Sequence, residues 1–520
     1  MRKHLLLLLS VFLLCWPVLS HAATYWVNPA ASGQSCTNSA SDPGAGSSSQ
    51  TIRQGLGCLS GGDTLMLKAG THTQAIGPNA PDVNVPNGSA GQPTTIQAAP
   101  GEAAIIRPTA CSSGTGDVIA LYNRSYITLR GFDVDATNCT SGGRQGIRLA
   151  DSSHHIIMED LEVHEAGFNA IGMSYSNLAD NIVRRCTLYN FGFVLQAGLP
   201  SYGIYLAGDR NIIEHNEIFD GAGWGIHFYP NGSNNTIRYN YIHDTVDRGG
   251  ILVTANSNNQ IYRNVFAHGT FSGIYVTACT NCSIHNNTVY GYTTGSPVGT
   301  TNAIRVAGTS GMVLRNNIVF NNAINSISHT GTGGTVSHNL TTDPSFTNAA
   351  ADDFSLAAGS PAINAGTSIS GLTFNGAAPD QGAHETIPFA NGTVEEQTPT
   401  IATVCVTNNV HAGLLPLTGC TGFTCRVDTV ARTINSCARN AANTNCMDLT
   451  LASAVTNGQD VDCSYALTGN VSDSGVYVTT EPLAFADQDL TNNVVTTPPP
   501  SAKGVKLRGG TKLRSGVVIR

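Results

Sequence analysis

Asparagine recurs in register at Asn216, Asn240, Asn264, Asn287, Asn316 and Asn339, with gaps of 24, 24, 23, 29 and 23 residues. The surrounding sequence repeats with it from roughly residue 127 to 340, in copies such as NNTIRYNYIHD, NNQIYRNVFAH and NCSIHNNTVYG. A fixed period of this length predicts a solenoid, whose repeats bury their apolar faces only against one another. Equivalent positions then stack into columns about 4.8 Å apart, so residues one period apart are contact neighbours.

Each coil shows two readable strands. The first has the form I-x-x-N-x-I/V. The second begins at a Gly-Ile pair, as at Gly146-Ile147, Gly203-Ile204, Gly225-Ile226, Gly250-Ile251 and Gly273-Ile274. Alternation puts the aliphatic residues inside and their neighbours outside. Asparagines in register can hydrogen-bond up and down the stack at an internal turn. No 3.6-residue or heptad period is present, so few helices are expected. Insertions at 191–201 and 291–301 stretch two coils, and insertions in a solenoid map to loops on one face.

The ends read differently. Arg2 and Lys3, an apolar run from Leu5 to Leu19 and the small residues Ala22 and Ala23 predict a signal peptide over 1–23 and an exported chain. No later stretch is long and apolar enough to span a bilayer. Thirteen cysteines remain after such cleavage, and an oxidising compartment makes disulfides the default. Proximity favours Cys36 with Cys58, Cys111 with Cys139 and Cys279 with Cys282. Cys186 is left over; it falls in the asparagine column one coil early and reads as a buried free thiol. Zinc is disfavoured, because Cys279 and Cys282 lack a second ligand pair. Residues 24–500 carry 18 basic against 34 acidic side chains, a net of −16, with Lys68 the only lysine. Such a body should not bind nucleic acid through general electrostatics. Residues 389–496 turn to Thr/Val-rich alternation, predicting a small β-sandwich. Residues 497–520 read as a proline-rich linker and a basic tail.

The repeat resembles the right-handed parallel β-helix superfamily of secreted carbohydrate-active proteins. GGDTLMLKAGTHT resembles that family's N-terminal coil, and DPSF…DFSLAAGSPAINAGT its closing segment, together covering about residues 24–388. The segment LTLASAVTNGQDVDCSYA and the sequence after it resemble a bacterial Ig-like repeat. The resemblance implies an all-β chain, a right-handed parallel β-helix followed by a small Ig-like β-sandwich. It implies a polysaccharide partner without selecting one activity, since the superfamily holds lyases, hydrolases, epimerases and tailspikes. Two family patterns are missing. The only body lysine, Lys68, lies far from the regular coils, and the Asp-Pro-His-Glu motif of alginate epimerases is absent.

Read as columns, the outward residues Arg130, Glu159, Arg184, Glu214, Arg238, Tyr262 and His285 suggest a salt-bridge ladder. The column after the first strand reads Glu165, Asn190, Asp220, Asp244, His268, beside His164, Tyr189, Phe219, His243, Ala267, Tyr290. Asp220 and Asp244 would be near the ~5 Å separation that retaining glycosidases use; the plainer reading is that they cap turns. In the second strand the outward column is Tyr205, His227, Leu252, Tyr275, Arg305, with Trp224 and Tyr229 close by. Aromatic faces can stack on sugars, and arginine binds carboxylates.

The sequence therefore points to a secreted, monomeric, polysaccharide-degrading enzyme, favoured as a lyase acting on a uronate glycan over a glycoside hydrolase. The candidate catalytic residues are Asp220, His243, Asp244, Asp247 and Arg248. Candidate substrate-binding residues are Tyr205, Trp224, His227, Tyr229, His268, Tyr275 and Arg305. In the hydrolase reading Asp220 and Asp244 or Asp247 divide the acid and nucleophile or base roles. In the lyase reading Arg248 or His243 takes the proton, with acidic groups holding Ca²⁺. The rival class is a non-catalytic carbohydrate-binding adhesin.

Overall fold

The structure is a computed structural model. It describes residues 22–394 except 80, 113–114, 140–144, 175–176, 193–200, 231, 247, 294–301, 324, 358, 373 and 375–376, together with segments between 400 and 492. The leader, Asp247, most of both insertions and the basic tail lie outside the described residues.

Three parallel sheets wind along the chain. A first sheet of twelve strands runs from Thr24–Val27 to Thr335–Ser337. A second, of ten, runs from Gly70–His72 to Ile318–Phe320, and a third, of nine, from Ile119–Tyr122 to Asn325–His329. Each strand pairs in parallel with its equivalent one coil on, as Thr236–Arg238 does with Gln260–Tyr262. A coil thus has three strands, one more than the two read from the sequence. The run I-x-x-N-x-I is two strands meeting at a corner. In TIRYNYIH, Thr236–Arg238 belongs to the first sheet and Tyr241–His243 to the second. Only Tyr239, at φ 56°, and Asn240 lie between them. A corner this short leaves the apolar alternation unbroken, which hides it from a pattern search.

The buried asparagines make that corner possible. Asn240 accepts from the Asn216 backbone N–H at 3.1 Å and side-chain amide at 2.9 Å. Its own Nδ2 donates to the Asn264 amide oxygen at 2.9 Å and to the carbonyls of Ile213 and Arg238 at 3.0 Å. Buried backbone groups must find partners, and each asparagine supplies them to the coil before it. The column continues through Asn287 and then Asn317, not Asn316, to Asn339. Asn316 is the left-handed corner residue beside it, at φ 56°. Cys186 does occupy the column one coil before Asn216, whose amide oxygen accepts its backbone N–H. The thiol is buried and free. A second ladder, Asn181, Asn211, Asn235 and Asn259, lines the corner before the first sheet.

The core is a stack of aliphatic columns. Ile213, Ile237 and Ile261 fill it from the first sheet, Ile218, Ile242 and Phe266 from the second, Ile226, Ile251 and Ile274 from the third, all essentially inaccessible. The Gly of each Gly-Ile pair sits where the third sheet's backbone crosses these columns. A methyl carbon added at Gly250 would lie 2.3 Å from Phe266 Cδ1, and one at Gly225 2.4 Å from Ile242 Cγ2. A short helix, Ile52–Leu56, carries a Thr51/Gln54 capping box and packs Ile52 and Leu56 into the N-terminal core. At the other end, Phe354 and Ala383 of the closing segment pack against Val265 and Ala267 of the second sheet. The disulfides Cys36–Cys58, Cys111–Cys139 and Cys279–Cys282 are those expected from proximity. Beyond residue 387 the described strands are mainly antiparallel. Thr400-adjacent Ile401–Val406 lies between Ile387–Val394 and Cys446–Leu451, and Cys425–Cys463 joins two neighbouring strands.

Replacing Asn240 by alanine would strip several buried backbone groups of their partner. We expect it to lower stability by roughly 2–4 kcal/mol, read as a fall in denaturant midpoint. An unchanged midpoint would show that the ladder is not what holds the corner.

Candidate functional site

Two outer faces carry the candidate residues, and the structure separates them. The first sheet's outer face carries neither set. There Glu159 pairs with Arg130 and with Arg184, Glu214 with Arg238, and the Tyr262 and His285 rings stack at 5.0 Å. These side chains neutralise one another along the stack.

The second sheet carries Asp220, His243, Asp244 and His268. The rings of His164, Tyr189, Phe219 and His243 stack at 5.0, 5.3 and 5.0 Å, nearly parallel. Glu165, Asn190, Asp220, Asp244 and His268 form the corner at the sheet's exit, and every one has φ between 48° and 56°. Asp and Asn tolerate this left-handed conformation better than most residues, so backbone geometry alone accounts for much of the acidic column. Asp220 and Asp244 stand exposed on adjacent coils. His243 lies half-buried, with Nδ1 2.7 Å from Asp244 and Nε2 3.4 Å from Glu217. Burial disfavours its charged form, but Glu217 and Asp244 outweigh that and hold its pKa above the ordinary value. His268 instead anchors the closing segment: its Nε2 is 2.8 Å from Asp352, and Phe354 packs on its ring. Among the described residues, no group of three or more His, Cys, Asp and Glu is placed to hold a metal ion.

The third sheet gathers the rest. Its outward column runs Arg148, Gly172, Tyr205, His227, Leu252, Tyr275, Arg305 in unbroken parallel register. Beside it Tyr202 pairs with Trp224 on the next coil. Tyr202, Trp224 and Phe271 form an apolar cluster against which Tyr205, Leu252 and Tyr275 pack. Trp224 meets Phe271 edge-on at 5.5 Å, and the Arg305 guanidinium lies 4.9 Å above the Tyr275 ring. Tyr229 is 48% exposed, with its ring 5.3 Å from that of Tyr205. Arg248, half-buried at the entry to this sheet, is close enough for its charge to act on Tyr202. Burial, only partly offset by Arg248, pushes the Tyr202 hydroxyl up to about 12.

Tyr205, Trp224, His227, Tyr229, Arg248, Tyr275 and Arg305 therefore share one face, while Asp220, His243, Asp244 and His268 share another. Asp247 lies outside the described residues. Arg148, Tyr202 and Phe271 were missed. Arg148 was readable, since it follows Gly146-Ile147 as Tyr205 follows Gly203-Ile204.

A family model described as "Right handed beta helix region" matches residues 117–289 and 200–342. Pectate lyase Pel9A superposes with a TM-score of 0.51 at 19% identity, over 70% of this chain and 96% of that one. A rhamnogalacturonan lyase follows at TM-score 0.45 and 14% identity, over 63% and 91%. XylC, solved with xylose, gives 0.41 and 13%, over 62% and 87%. No curated protein sequence matches significantly. The chain is thus built on a right-handed parallel β-helix. No helix among the described residues is long and apolar enough to cross a membrane.

The raised pKa of His243 fixes a sign. A group whose folded pKa is raised stabilises the fold below its unfolded pKa and loses that contribution as pH rises through the folded value. The stability gap between the native chain and His243→Gln should be widest below about pH 6.5 and close at alkaline pH. Unfolding midpoints across a pH series would read this, and a gap that widens with pH would contradict the Glu217–His243–Asp244 bridge.

Proposed function

We propose that this chain is an exported polysaccharide-acting enzyme that binds its glycan along the outer face of the third sheet. The observation that carries the proposal is the column of Tyr205, His227, Tyr275 and Arg305, flanked by Tyr202, Trp224, Phe271 and Arg248. Rings presented along a parallel sheet give stacking surfaces for successive sugars, and arginines supply charge-assisted hydrogen bonds to carboxylates. The likeness to pectate lyase Pel9A motivates the lyase form of the reading, β-elimination on a uronate glycan. Arg248 fits it best among the catalytic candidates because it lies on the aromatic face. His243 serves the hydrolase reading instead, beside Asp220 and Asp244 on the second sheet. The disulfides support an oxidising, extracytoplasmic compartment. We place the β-helix and its closing segment at 24–388 and an Ig-like spacer at 389–496, in a monomer.

The test is product analysis over a panel of uronate and neutral polysaccharides. Unsaturated product supports elimination. New reducing ends without unsaturation, abolished by Asp244→Asn, would move the site to the second sheet. Binding without turnover would leave a carbohydrate-binding solenoid. Tyr275→Ala and Arg305→Ala should each weaken glycan binding roughly tenfold, about 1.4 kcal/mol, in titration calorimetry. Unaltered affinity in both would exclude the third-sheet face.

A further inference from the structure

Arg148 lies on the same outward column of the third sheet as Tyr205 and Arg305, two coils before Tyr205. Gly172 stands between Arg148 and Tyr205 with no side chain. From Arg148 to Arg305 the column takes six steps in parallel register. At about 4.8 Å each, these span roughly 29 Å. The two ends are alike. The Arg148 guanidinium lies 5.5 Å from the centre of the Tyr122 ring, as that of Arg305 lies 4.9 Å from the centre of Tyr275.

Arg148 is held in place without being used up. Its side chain is 21% exposed, and one terminal nitrogen is 3.9 Å from the wholly buried Asp117 carboxylate. That distance is too long for a hydrogen bond, and Arg148 donates none among the described residues. Arg248 and Arg305 donate none there either. The first sheet treats its arginines differently, since glutamates hold Arg130, Arg184 and Arg238. Asp117 is itself fixed. Its Oδ1 accepts the Gln145 backbone N–H at 3.2 Å. Gln145 Oε1 accepts from Asn169 Nδ2 at 3.1 Å, and Asn169 Oδ1 accepts the Tyr202 backbone N–H at 3.1 Å. A buried polar chain thus runs from the counter-charge of Arg148 to the backbone of the aromatic cluster. Gly172 leaves room for it, because a methyl carbon there would lie 1.6 Å from Gln145 Oε1.

We propose that Arg148 is a distal anchor for a polyanionic glycan, binding a carboxylate two coils before Tyr205 so that one chain reaches from Arg148 to Arg305. The proposal rests on the third-sheet glycan reading and deepens it: the ligand carries carboxylates along its length and is longer than a few sugars. The charge distribution favours such a ligand. Residues 24–500 carry a net of −16, so a polyanion is repelled except where arginines lack acidic partners at hydrogen-bond distance. Arg148, Arg248 and Arg305 bring three of these to one face. A guanidinium resting on a tyrosine ring is already ordered, so less freedom is lost when it grips a carboxylate. Contact at the second end is intramolecular once the first is made, so affinity should rise with chain length until both ends are reached.

The experiment is titration calorimetry of the native chain with oligogalacturonates and oligoalginates of graded length, beside a carboxyl-reduced octamer. From trimer to octamer the affinity should rise at least tenfold, and the reduced octamer should not share the gain. Joining Arg148→Gln to Asp117→Asn removes both charges and leaves no buried carboxylate without its counter-charge. That double variant should bind the octamer roughly tenfold more weakly and the trimer within about twofold of native. Arg148→Lys keeps the charge beside Asp117 but not the planar fork, and should lose part of the length gain. Native octamer affinity in both variants would overturn the anchor and leave the glycan reading standing. Equal losses for trimer and octamer would overturn it too, since they mark a structural role. So would a reduced octamer bound as tightly as the charged one. Native protein that binds no oligomer of any length would overturn the reading and the anchor together.

Discussion

From Asn216 onward the coils depend on how a buried asparagine satisfies the backbone at a two-residue corner. Asn240 alone accepts two hydrogen bonds from Asn216 and donates to Asn264, Ile213 and Arg238. An orphaned buried amide costs more than a hydrogen bond returns, so a corner without such a residue would need water or another side chain. With it, the chain passes from first to second sheet with one left-handed residue and no loop. That fixes the register of every strand that follows, and so the columns of the outer faces.

The same corners limit what their own side chains can be asked to do. Asp220 and Asp244 take left-handed conformations that the exit from the second sheet requires, and Asp244 is already engaged by His243. The third sheet differs because its outward residues lie within strands, where the backbone makes no demand on residue type. A succession of Tyr205, His227, Tyr275 and Arg305 there needs another explanation. Recognition of an extended, carboxylate-bearing chain supplies one.

Much of this was legible in the sequence. The period was legible because from Asn216 onward every coil brings a ladder asparagine to the same corner, and the outward column of the third sheet was read in its correct register. Other features were not. Asn316 was taken for Asn317 because both residues of the pair are asparagine and coil length varies. The second ladder was equally visible at Asn211, Asn235 and Asn259, but the same doublets masked it. The split between the second and third sheets was hidden because a corner of varying length joins them, and spacing says nothing of its angle.

The central claim is that glycan lies on the third sheet, against Trp224. In a chain beginning at Thr24, Trp26 and Trp224 are the only tryptophans, so Trp26→Phe leaves a single reporter. Trp26 is remote in sequence, near the N-terminal cap, with its indole N–H donated to Ser39. Titrating that variant with a defined oligogalacturonate, or oligoalginate, should give a saturable change in Trp224 emission. Its midpoint should match the dissociation constant from calorimetry. Binding or cleavage of the oligomer with no change in Trp224 emission would contradict the account and place the glycan on another face.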